Sequence, residues 1–349
     1  MAMGEKNVCD VFLERERLFL SPYAFLTENT KGRDHPYTPC VNRTEFQRDR
    51  DRILHCKSFR RLMHKTQVFL LPIDEQYRTR MTHTLEVTQI ARIICRALRL
   101  NEDLTEAAAL GHDIGHTPFG HAGEAVMQKC FDPTFTHYMQ SLRVVEKLEK
   151  DGEGLNLTWE VRDGIVNHSG HDLSPDSKDR KASTLEGVIV KFADKIAYIN
   201  HDIDDAIHAG ILKLDDIPSE LLDILGRTHS GRINTMVSAV IESSADKNEI
   251  SMTPEVCEAT MALRNFLFEH VYTKSAAKAE EEKAKALLEE LYCFFYDHPE
   301  KMPPFYFGRV ESEGLGRSVC DYISAMTDRY AIDKYKELFI PEVWRDASY

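Results

Sequence analysis

Between residues 108 and 124 the chain reads AALGHDIGHTPFGHAGE, and this run limits the fold more than any other stretch. His112, Asp113, His116, His121 and Glu124 crowd together among small apolar residues and glycines. Burying one polar group without a partner costs roughly 2–7 kcal/mol. The run must therefore face complementary elements or a ligand. One buried histidine is most simply a hydrogen-bonded core residue, whereas five such groups together are most simply a site. Adjacent side chains such as His112 and Asp113 point about 100° apart on a helix. They converge on one ion only at a helix end, where Gly111 and Gly115 permit close approach. Groups of these types ligate metals or move protons near neutral pH.

The sequence around this run is helical in pattern, which gives an all-α fold with at most one small β-hairpin. Apolar positions Phe46, Ile53, Leu54, Phe59 and Leu62 recur at helical spacing from residue 43. Met81, Leu85, Ile90, Ile93, Ile94, Ala97 and Leu98 form the stripe of a helix beginning near Arg80. Asn101 is placed to cap a helix over 102–113. Further helices are predicted near 134–150, 158–168, 184–209, 217–226, 231–245, 254–272 and 279–296, with one more near the C-terminus. TQVFLL (66–71) is the best strand candidate, and 169–183 is a polar loop long enough to border a site. Residues 1–42 read as an irregular N-terminal segment, and 43–349 as one domain without a linker.

The chain has 349 residues and a formal net charge of −13, which taken globally disfavours a nucleic-acid or membrane-surface protein. That figure hides an asymmetry. Residues 31–100 carry 15 Lys/Arg against 7 Asp/Glu, a local +8 in a chain whose remainder carries −21. No apolar run reaches the roughly 18 residues of a membrane helix, and the N-terminus lacks the apolar core of a signal peptide. The eight cysteines form no CxxC pair, so free thiols in a reducing cytoplasm are expected.

His83, the pair His112-Asp113 and the later Asp194 resemble the H…HD…D signature of the HD-domain metal-dependent phosphohydrolases. The likeness narrows further. SPYAF (21–25), RTEFQRDRDRIL (43–54), SFRRLMHKTQVF (58–69), RTRMTHTLEV (78–87), HDIGHTPFGHAGE (112–124), QSLRVVE (140–146) and DKIAYINHDIDDAI (194–207) occur in order. Together they resemble the deoxyguanosine-triphosphate triphosphohydrolase family over about residues 20–335. The resemblance implies an HD-type helical fold with extra helices. It also implies hydrolysis of dGTP or another dNTP to a deoxynucleoside and tripolyphosphate.

The resemblance assigns His83, His112, Asp113 and Asp194 to one divalent metal. Two imidazoles and two carboxylates suit Mn, Mg, Fe, Ni or Zn, so ligand type does not select the ion. By the same likeness His116, His121, Glu124 and His137 are catalytic: His121 orients water or protonates the leaving 5′-oxygen, and Glu124 fixes its tautomer. Arg80 and Lys195 are expected at the phosphates, with Arg60, Arg61, Lys65 and Arg78 as further cations. Tyr198 borders the deoxyribose, where it rejects a 2′-OH, while Gln67 and Asp202 bind sugar hydroxyls. Met63 stands where the family often has Gln, which leaves base preference open. The family also implies a homo-oligomer, with a dNTP effector as an option; single-stranded nucleic acid is not predicted. Two other readings compete: an HD phosphohydrolase of monophosphates, cyclic dinucleotides or ppGpp, and a weakly active dNTP-sensing regulator.

Overall fold

The computed structural model describes residues 7–67, 77–170, 172–173, 179–272 and 277–341. The described residues are all-α. The first helices are α1 (Val8–Phe19), α2 (Glu45–Leu54), α3 (Lys57–Arg61), α4 (Arg80–Ala97) and α5 (Glu102–Gly111). There follow α6 (His121–Cys130), α7 (His137–Arg143), α8 (Trp159–Val166), α9 (Leu185–His208), α10 (Ser219–Leu225) and α11 (His229–Ser244). The chain continues through α12 (Pro254–Leu267), α13 (Ala277–Asp297), α14 (Pro304–Phe307), α15 (Val310–Glu313), α16 (Leu315–Ser324) and α17 (Asp328–Phe339). Two predicted helices each end in a π-helical turn: α7 runs into Val144–Leu148 and α12 into Phe268–Tyr272.

The central core lies between α4 and α9. Ile90 and Ile94 of α4 meet Ile189, Ile196, Ile199 and Ile203 of α9, all essentially buried, and Met236, Val240 and Leu263 close the same core from α11 and α12. Burying one such side chain contributes roughly 1.5–3 kcal/mol. This packing fixes the register of α4 on α9 and hence of the polar residues that share their facing stripes. A second core joins α6 to α13 and α16 through Val126, Met127, Leu288, Phe295 and Val319. A third packs α2 and α3 on α5 and α8.

The structure adds to the sequence reading at several points. The N-terminal segment is less irregular than its sequence suggests, because an Asn7/Asp10 capping box starts α1 on the amphipathic patch. Most of the strand expected at 66–71 lies outside the described residues, and Thr66 pairs with Thr79 in an isolated antiparallel bridge. Helix α6 was masked in the sequence by the glycines of the HDIGH run, which are poor helix formers. Helices α14 and α15 have four residues each, too short to show a period.

Candidate metal centre and active site

Local capping places the first candidate ligand. Thr79 caps α4 by accepting from the Thr82 amide, so Arg80 falls in the first turn and His83 one turn later on the same face. Helix α5 ends at Gly111, and His112 and Asp113 follow at its C-terminus. A Cβ on Gly115 would lie 2.0 Å from the Ser141 amide nitrogen, so only glycine lets the HDIGH turn press against α7. Gly120 starts α6 with φ +56°, a conformation that L side chains rarely adopt. Thr184 caps α9, which carries Asp194 to the facing side.

The three helices bring His83, His112 and Asp194 together. His83 Nε2 lies 3.1 Å from Asp194 Oδ1, and His112 Nε2 lies 3.8 Å from the same oxygen. His112 Nδ1 donates to the Ala109 carbonyl at 2.6 Å, which leaves the Nε2 lone pair for another purpose. That Nε2 is buried and has no hydrogen-bond partner among the described residues. A divalent ion is what such a donor set accepts: an orphaned imidazole nitrogen converging with a second imidazole and a carboxylate. Asp113 stands beside it, with Oδ1 at 3.6 Å from His112 Nε2 and 3.3 Å from His116 Nε2. Its Oδ2 accepts from Arg80 Nη1 at 2.8 Å. Burial disfavours the Asp113 and Asp194 carboxylates, yet the surrounding imidazoles, and Arg80 at Asp113, outweigh it and hold both below their usual range.

A second histidine–carboxylate group adjoins the first. The rings of His116 and His137 stack with centroids 4.1 Å apart. Glu124 lies 3.3 Å from His137 Nδ1 and 3.4 Å from His121 Nδ1, and it accepts from the His137 amide at 3.0 Å. Burial opposes ionisation of Glu124, but the hydrogen bonds to His121 and His137 prevail and depress its carboxyl strongly. The His121 side chain is 84% exposed, unlike its neighbours.

Comparison with known proteins settles the relationship. Residues 80–199 match the HD domain and residues 250–337 match the phosphohydrolase-associated domain. A deoxyguanosinetriphosphate triphosphohydrolase-like protein of Caldanaerobacter subterraneus subsp. tengcongensis is 57% identical over 338 residues, 97% of this chain and 97% of that protein. The chain belongs to the deoxyguanosinetriphosphate triphosphohydrolase-like family. Proteins of the same description from Desulfatibacillum aliphaticivorans and Clostridium tetani are 47% and 46% identical, covering 96% and 94% of this chain and 99% and 95% of theirs. An HD-domain phosphohydrolase is thereby shown. No helix among the described residues is long and apolar enough to cross a membrane.

In this dGTPase-like chain Lys195, Tyr198 and Asp202 follow Asp194 along α9. Lys195 donates to the Gly170 carbonyl at 2.8 Å, and burial lowers its pKa to about 8. Its Nζ lies 5.0 Å from the Tyr198 ring centroid. The Tyr198 hydroxyl accepts from Arg264 Nε at 3.0 Å. Asp202 is buried with Oδ1 unpartnered among the described residues, as is Gln67 Oε1. Burial, followed by the charge of Asp205, pushes the Asp202 carboxyl well up.

Other cations of the basic stretch have structural partners. Buried Lys65 donates to the carbonyls of His116 and Ser324, the latter at 2.8 Å. Arg78 binds Asp205 at 2.7 Å and also reaches Asp204 and Glu86. Arg60 donates to the His55 carbonyl at 3.0 Å.

Sequence reasoning missed two buried histidines. His168 Nδ1 donates to the Ile165 carbonyl at 2.6 Å, repeating the His112 arrangement, and its ring lies 4.9 Å from that of His112. Burial and His112 push its pKa down to about 3. His201 sits behind His83, with the two Nδ1 atoms 3.4 Å apart. A signal for His201 exists in the sequence: it follows Asp194 by seven residues, two helical turns on one stripe.

Proposed function

We propose that this protein is a metal-dependent dNTP triphosphohydrolase, which hydrolyses dGTP or other dNTPs to a deoxynucleoside and tripolyphosphate. The observation that carries the reading is the buried, unpartnered His112 Nε2 converging with His83 and Asp194. His83, His112, Asp113 and Asp194 would hold the divalent ion, Mn, Mg, Fe, Ni or Zn. When bound, the ion supplies Lewis acidity: it polarises a phosphoryl oxygen and lowers the pKa of water.

The chain's own groups supply the rest. A triphosphate brings close to four negative charges, which Arg80 and Lys195 would meet. Arg80 is already ordered by Asp113, so little side-chain entropy remains to be lost when phosphate binds. Water attacks the α-phosphorus and O5′ departs. His121, oriented by Glu124, orients that water or protonates O5′, and His116 and His137 bound the same space. Gln67 Oε1 and Asp202 Oδ1, both buried acceptors without partners among the described residues, suit the sugar hydroxyls. Tyr198, tethered by Arg264, suits the C2′ side of the sugar, where its ring would disfavour a 2′-OH.

Residues 43–349 act as one unit in this reading, because Lys65 ties the HDIGH turn to α16 and Asp328 accepts from the Thr66 and Phe119 amides. The compartment is a reducing cytoplasm, supported by eight dispersed thiols. A homo-oligomer, with a dNTP effector as regulator, follows from the family likeness. A panel of the four dNTPs with Mn, Mg or Co, with and without a second dNTP, tests reaction, base preference and regulation together. Normal metal uptake without turnover of any dNTP would sink the enzyme reading and favour a nucleotide sensor.

A further inference from the structure

The ligand set constrains the protons behind it. If His83 offers Nε2 to the ion, its Nδ1 must carry the proton, since a neutral imidazole has one donor and one acceptor nitrogen. This step rests on the metal reading proposed above. The atom facing His83 Nδ1 is His201 Nδ1, 3.4 Å away, on α9 and seven residues beyond Asp194. It can accept only if the proton of His201 sits on Nε2. That nitrogen lies 3.1 Å from Glu86 Oε2. Glu86 is on α4, three residues after His83, so the chain of groups leaves α4, crosses to α9 and returns.

Glu86 is itself held. Arg78 Nε lies 3.2 Å from Glu86 Oε2 and 3.4 Å from Oε1. Arg78 is anchored in turn by Asp205 at 2.7 Å and Asp204 at 3.3 Å. Along His83, His201 and Glu86 every proton is then donated toward Glu86, which also accepts from Arg78. Each donor meets an acceptor, and the lone pair left at the end is His83 Nε2. His83 and His201 are each 1% exposed, so water does not compete for the bond between them.

We propose that Glu86 and His201 form a positioning relay that holds His83 in the tautomer and orientation in which Nε2 ligates the ion. Metal-ligating histidines commonly donate their other nitrogen to a carboxylate or carbonyl, and losing that partner weakens metal affinity about 10–100-fold. Here an imidazole stands between ligand and carboxylate. The relay links α4 to α9 directly behind the centre, so the ligand pair His83–Asp194 and its support share one helix interface.

The test is Mn(II) affinity, read by electron paramagnetic resonance of the free ion with no substrate present. His201→Leu removes the acceptor and is expected to weaken Mn(II) binding about 10–100-fold. His201→Asn restores an amide oxygen near the position of Nδ1 and is expected to stay within about 3-fold of the wild type. Glu86→Ala, at a partly exposed position, is expected to weaken binding about 5-fold or more and keeps the test decisive if His201→Leu does not fold. The relay is overturned if His201→Leu or Glu86→Ala binds Mn(II) as tightly as the wild type. It is also overturned if folded His201→Asn loses as much as His201→Leu, since that result marks a packing role. Wild-type protein that takes up no Mn(II) would instead remove the metal reading on which the relay rests.

Discussion

Around Asp194, the histidines His83 and His112 are buried to within about 1% and their free nitrogens converge on one space. Around Glu124, His137 is largely buried while the side chain of His121 is 84% exposed. The first group is fixed from behind, His112 by the Ala109 carbonyl and His83 against His201. The second is fixed from within, since one carboxylate orients both imidazoles. In the proposed enzyme the difference is a division of labour. A ligand must keep its lone pair aimed at one point, which rigid backbone and buried partners provide. A group that exchanges protons with substrate needs access, which an exposed imidazole on the first turn of α6 has.

The sharpest break of this comparison is at the ligands. His112→Ala and Asp113→Ala are expected to abolish metal uptake and turnover, measured by elemental analysis and dNTP hydrolysis. Asp113→Ala also strands the buried Arg80, which is expected to destabilise the fold by about 3–5 kcal/mol in denaturant titrations. His121→Ala should do the opposite to metal, leaving uptake intact while kcat falls about 10²–10⁴-fold. Loss of metal in His121→Ala would erase the distinction between the two groups. At the sugar, Tyr198→Ala is expected to reduce discrimination of dGTP against GTP about 10-fold or more, and Tyr198→Phe much less, in kcat/KM comparisons.

The smallest expected effect is on acid stability. The Glu124 carboxyl titrates below its ordinary value of 4.5 in the folded chain. The unfolded chain therefore binds this proton first as pH falls. Its contribution to stability is complete above about pH 4.5 and is lost as pH drops toward the folded value. Glu124→Gln should accordingly flatten the part of the stability curve below pH 4.5. An unchanged slope would show that His121 and His137 do not hold the carboxylate.

The same two groups mark how far the sequence could be read. Periodicity gave the helices that position the site, and Asn101 caps α5 as expected by accepting from the Leu104 amide. His112 and Asp113 were legible because several polar groups in one Gly-rich run have few structural explanations. His168 was not, because its meaning lies in a bond to Ile165 and in its distance from His112, 56 residues away. Glu86 carries no signal of its own in the sequence, and only the packing of α4 on α9 sets it beside His201. The positive balance of residues 31–100 pointed to phosphate, yet Lys65 and Arg78 are committed to carbonyls and to acids within the fold. Charge counting cannot see such internal pairing, since two of the acids that meet Arg78, Asp204 and Asp205, lie 126 and 127 residues further on.

The central claim is that the buried ligand set and the Glu124 group together split a dNTP between the 5′-oxygen and the α-phosphorus. Phosphorus NMR of dGTP or another accepted dNTP turned over by metal-loaded protein tests it directly. The account predicts tripolyphosphate as the sole phosphorus product, with an equal amount of deoxynucleoside. Pyrophosphate with a deoxynucleoside monophosphate, or orthophosphate with a diphosphate, would contradict it.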